Sequence, residues 1–128
     1  MSADEAEIGK VLDELYDIIS GPAGPRDWSR QRAIFHNESR QMRTWIEPDG
    51  SPAIRIMGRD ASAADTTPYF AENDFYEIET ARRINVFGNM AHVWSIYEAR
   101  RSLDSAELDR RGINSIQLHK DSRGWRGI

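Results

Sequence analysis

Three histidines, His36, His92 and His119, are the side chains best placed to move protons near neutral pH. No His-x-His or Glu-x-x-His pair groups them, so their spacing predicts no metal site. The chain has no cysteine, which removes thiolate nucleophiles, thiolate zinc sites and disulfides. It also has no Gly-x-Ser-x-Gly elbow and no phosphate loop, which disfavours serine-hydrolase and nucleotide chemistry. What remains open is acid–base work by a histidine with a carboxylate. Alternation along a strand puts His92, Trp94, Ile96 and Glu98 on one face, and Ala91, Val93, Ser95 and Tyr97 on the other. By the same parity Glu77 and Glu79 share a face, and Asn114 goes with Ile116 and Leu118.

Those residues need elements to hold them. Ser2 and Glu5 have capping-box spacing, and Ile8, Val11, Leu12, Leu15, Ile18 and Ile19 then recur as one helical stripe. Gly21 and Pro22 stop that helix. Asp27 can cap a short second helix carrying Trp28 and Phe35. Residues 40–58 read as a hairpin around Pro48-Asp49-Gly50-Ser51-Pro52. Residues 59–74 read as irregular to helical, with Thr67-Pro68 as the start of a short helix. Phe75–Phe87 and Met90–Ser102 are long β-type runs joined by Gly88-Asn89, a hairpin signal. Residues 103–111 are polar and loop-like, and Ile113–Lys120 alternates as a further strand. Asp121-Ser122-Arg123-Gly124 then turns toward Trp125. Helices set apart from antiparallel strands define an α+β class.

The 128 residues suit one domain. A net charge of −4 disfavours nucleic acid as a partner, because phosphate binding needs a basic surface. No stretch reaches the roughly 20 apolar residues of a membrane span. The acidic start Met1-Ser2-Ala3-Asp4-Glu5 lacks a signal peptide's basic and apolar regions, so a cytoplasmic location is expected.

The stretches Arg82–Glu98 and Arg111–Leu118 resemble the central hairpin and next strand of a bacterial branch of the nuclear transport factor 2-like superfamily, also called SnoaL-like or cystatin-like. With the first helix and the Trp28–Phe35 region, the resemblance spans nearly the whole chain. It implies a strongly curved antiparallel sheet wrapped by about three helices around a cone-shaped pocket. It also implies a homodimer through the outer sheet face. Relative to that family the last strand is cut short at Gly127-Ile128, so the final strand is expected to be lacking or truncated and an edge left open.

The resemblance further implies that the His92 face looks into the cone. Glu79, His92 and Asn114 would then form a polar patch, with Trp28, Phe35 and Trp94 as apolar walls and His36 at the rim. Glu79 with His92 would supply the catalytic pair of a cofactor-free lyase or isomerase. The bland alternative pairs Glu79 with an arginine and makes His92 a hydrogen-bonded structural residue. Steroid-isomerase chemistry is disfavoured, since Tyr16 fits one role but Arg43 and Ile116 stand where its two acids belong, and Tyr16 is expected to pack in the helical stripe beside Leu12 and Ile19. Three functions stay open: a binder of a small apolar or aromatic molecule, a His–Glu enzyme, and an association module whose cone is filled by its own side chains. No cofactor is expected.

Overall fold

The computed structural model describes residues 2–128. Helix α1 (Ala3–Ile19) opens the chain, and Ser2 caps it, its Oγ accepting from the Glu5 amide at 3.1 Å. Helix α2 (Trp28–Ile34) starts at Asp27, whose carboxylate accepts from the Ser29 amide. Strands β1 (Arg40–Ile46) and β2 (Pro52–Gly58) form a separate two-stranded hairpin. Helix α3 (Arg59–Glu72) follows, then β3 (Tyr76–Phe87), β4 (Met90–Arg100), β5 (Arg110–Asp121) and β6 (Gly124–Gly127). These last four make an antiparallel sheet in the order β3-β4-β5-β6. The class is α+β with three helices.

Helix α3 runs straight through Pro68, where the sequence reading had a short helix begin. Proline removes one helical donor. Around it the Thr67 hydroxyl donates to the Ala63 carbonyl at 2.7 Å, and Thr66 to those of Ser62 and Ala63. Side chains thus add bonds to the turn before the proline. Strand β6 is four residues long and pairs with Leu118–Asp121 of β5. Gly88, at φ 61°, is the first central residue of the β3–β4 loop, where a II′-type hairpin needs a positive φ.

The apolar stripe of α1 lies across one face of the larger sheet. Ile8, Leu12 and Tyr16 pack with Ala91, Val93, Leu118 and Trp125. Each fully buried aliphatic side chain here contributes about 1.5–3 kcal/mol. A second cluster joins Phe70, Phe75 and Ala99, with Trp28 and Ile19 against it. The two ends of the chain are tied together, since Asp4 accepts from Trp125 Nε1 at 2.9 Å and from Lys120 at 2.8 Å. No helix among the described residues is long and apolar enough to cross a membrane.

Candidate functional site

The register of β4 fixes which side chains face the helices. Ala91, Val93, Ser95 and Ala99 are buried beneath α1, α3 and their loops, whereas Trp94 and Ile96 are 44% and 41% exposed on the opposite face. The face assignment implied by the resemblance is therefore reversed. Small residues sit under the helices because α1 brings its own bulk, Leu12 and Tyr16, into that space. His92 lies outside with Trp94, its ring 5.0 Å from the indole and edge-on, and its Nε2 2.9 Å from Ser115 Oγ.

Glu79 faces the other way. A register shift between Glu79 and Ala81 puts an extra residue in β3. Glu79 stands opposite Tyr97 and bonds to buried Ser95, while His92 stands opposite Asn85. The two are thus separated both by face and by position along the strand, and they form no catalytic pair. Of the predicted patch, Glu79 and Asn114 come together and His92 does not.

What joins Glu79 to Asn114 is a chain of hydrogen bonds that the sequence reading did not contain. The Glu79 carboxylate accepts from Arg82 and, like any carboxylate, has no hydrogen to give. Ser95 Oγ must then donate to Glu79, which leaves it a lone pair for the Tyr16 hydroxyl at 2.6 Å. Tyr16 in turn accepts from Asn114 Nδ2 at 3.1 Å. At the other end Arg82 reaches Asp13 of α1 at 2.5 Å. Burial pushes the Tyr16 phenol up, and its bonds to Ser95 and Asn114 oppose that shift. Each linking hydroxyl gives one bond and takes one, so the chain is satisfied within itself. It fixes α1 to β3, β4 and β5. Tyr16 is thus a buried link, more than the packing residue its stripe position suggests. The clue to Ser95 was in the sequence, as the one small polar residue among Ala91, Val93, Tyr97 and Ala99 on one strand face.

Glu77, two residues earlier, is the inner-face group left over. It is 8% exposed, and its carboxyl has no hydrogen bond among the described residues. Burial pushes its pKa up to about 7, with partial opposition from Arg110. Glu77, Ala99 and Arg110 stand in one row across β3, β4 and β5, so that guanidinium is two strands away. Between these rows Tyr97 covers Gly112, where a Cβ would collide with the phenol ring and its oxygen. Only glycine admits that ring.

The remaining predicted residues do not converge on Glu79. Half-buried Trp28 packs on Phe70 with ring centroids 6.2 Å apart, and its Nε1 donates to Thr67 at 3.0 Å. Phe35 lies over Gly127, and its carbonyl accepts from both Arg59 and Arg126. His36 turns the chain toward β1, its Nδ1 accepting from the Glu38 amide at 3.0 Å. Trp94 is an outer-face residue and walls no interior pocket. Arg43, at the position of a missing isomerase base, lies over the exposed Trp45 ring at 5.1 Å. No cluster of metal-ligating side chains occurs among the described residues.

Of two hollows at the surface of the described residues, neither is lined by Tyr16, Glu77, Ser95 or Asn114. One, of about 410 Å³, runs between α1 and β3. The other, of about 200 Å³, lies in the loop from Arg101 to Asp109.

No protein-family model and no curated protein matches the sequence. Solved structures do. A protein of unknown function with a cystatin-like fold, from Nostoc punctiforme, superposes with a TM-score of 0.72 at 12% identity, covering 100% of this chain and 88% of its own. A proposed dehydratase of the NTF2-like family from Streptomyces avermitilis gives 0.59 at 13%, covering 97% and 90%. A proposed calcium/calmodulin-dependent kinase II association domain from Exiguobacterium sibiricum gives 0.59 at 14%, covering 99% and 89%. The chain has the cystatin-like, NTF2-like fold that its central hairpin suggested. Fold at this identity carries no activity with it.

Proposed function

We propose that this chain works by associating with a second copy of itself through the outer face of β3, β4 and β5. One observation carries the reading. Ile78, Trp94, Ile96 and Ile113 are exposed by 42%, 44%, 41% and 57% on the face turned away from α1. They are neighbours in register, Ile96 opposing Ile113 and the Trp94 row lying two residues along. Clustered apolar side chains of this size mark an interaction surface. Arg83, Glu98 and Arg111 stand in the same rows, as charged groups do at the rim of an interface. A two-fold pair would lay this face on itself and close the assembly. The hydrogen-bonded chain from Asp13 to Asn114, in which the inner Tyr16 and Ser95 hydroxyls each bond on both sides, supports the same reading. So does the similarity to a proposed association domain.

Sedimentation equilibrium tests it. The protein is expected to sediment as a dimer, and Trp94→Glu as a monomer with unchanged far-UV circular dichroism. A wild-type monomer at the highest soluble concentration would sink the proposal.

A second reading rests on Glu77. Below its pKa of about 7 the buried acid is neutral and can donate to a carbonyl or carboxylate of a small apolar molecule held near Tyr97. Such a ligand stabilises the folded state by mass action. A thermal-shift screen of apolar carboxylates, ketones and aromatics should give larger shifts at pH 6 than at pH 8. A flat screen at both pH values removes this reading and leaves association untouched.

A further inference from the structure

The groove between α1 and the edge strand β3 is large enough for a small ligand, at about 410 Å³. Ala6, Gly9 and Ile84 form its apolar part. Glu5, Lys10, Asp13 and Arg82 supply its charges. Gly9 shapes it, since a Cβ there would stand 2.8 Å from Arg82 Nη1. Glycine in mid-helix is normally unfavourable, and here it lets a guanidinium come close to the helix backbone. Arg82 spends Nε and Nη2 on Glu79 and Asp13. Its Nη1 makes no hydrogen bond among the described residues, and neither Lys10 nor Glu5 has an ion pair among them.

The charges alternate in sign along the helix. Glu5 and Lys10 are five residues apart, which separates their backbone stations by about 7.5 Å along the axis. A lone anion or a lone cation meets repulsion as well as attraction in such a groove. A molecule with one charge of each sign at its two ends can align with the pattern. We infer that the groove binds a small zwitterion, an ammonium and a carboxylate joined by a short methylene chain. The carboxylate sits between Lys10 and Arg82 Nη1, the ammonium meets Glu5, and the methylenes lie on Ala6 and Ile84. Binding is non-covalent and leaves the bonds of Arg82 to Glu79 in place.

The probe is 4-aminobutyrate, with butyrate and butylamine as single-charge controls at constant ionic strength. Backbone amide shifts in the nuclear magnetic resonance spectrum report the site. Saturable shifts at Ala6, Gly9, Lys10 and Ile84 are expected with 4-aminobutyrate alone. Lys10→Ala and Glu5→Gln should each weaken binding by about tenfold, as expected for losing one charge-assisted contact, with helix content preserved. Non-saturating shifts, equal binding of all three probes, or affinity indifferent to both substitutions would each overturn the assignment.

Discussion

The two faces of strand β4 differ in what they ask of the rest of the molecule. The inner face carries Ala91, Val93, Ser95 and Ala99, each at most 3% exposed, with half-buried Tyr97 between the last two. Helix α1 brings the volume that covers it, and one hydroxyl on that face, Ser95, is bonded on both sides. The outer face carries the bulky Trp94 and Ile96, which no helix among the described residues overlies and which stay 44% and 41% exposed. Side-chain size therefore does not tell inside from outside on this strand. What tells them apart is whether the covering volume comes from the same chain.

Substitutions on the two sides of β5 should break or confirm that contrast. Leu118→Ala, under α1, is expected to cost about 2–5 kcal/mol in urea unfolding. Ile113→Ala, on the outer side of the same strand, should change the stability of the dissociated monomer by less than about 0.5 kcal/mol. Equal losses would mean that the outer face is already covered in the monomer.

Glu77 gives the next effect in size. Its folded pKa lies above the ordinary carboxylate value, so between about pH 4.5 and 7 the folded state holds more protons than the unfolded one. Stability must then fall as pH rises through that window, by at most about 3 kcal/mol from this group. Glu77→Gln removes the ionisation. Its unfolding free energy relative to wild type should therefore climb from pH 5 to pH 8. A constant difference across that range would show that the carboxyl is solvated.

The helices and the Gly88 hairpin were legible because each depends on local signals. Ser2, Asp27 and Gly88 act within a few residues of themselves. The site was less legible because it depends on parity and on partners far along the chain. The face of His92 turned on whether α1 or a pocket fills the space beside Val93, and alternation alone is silent on that. The Tyr16–Ser95 bond joins residues 79 positions apart, beyond the reach of any spacing rule. Glu79 and Asn114 were rightly put on one face, yet the residues linking them, Tyr16 and Ser95, were passed over. Tyr16 fitted an apolar stripe, and Ser95 looked like an outward-facing serine.

The tie between Asp4 and Trp125 spans 121 positions, and it has a consequence for the growing chain. Helix α1 leaves the ribosome well before β4, β5 and β6, the strands that cover Ile8 and Leu12. At roughly 5–20 residues per second, that apolar stripe waits about 6–25 s without its partner. During synthesis α1 is a helix in need of a temporary companion, until the Trp125 indole arrives to meet Asp4.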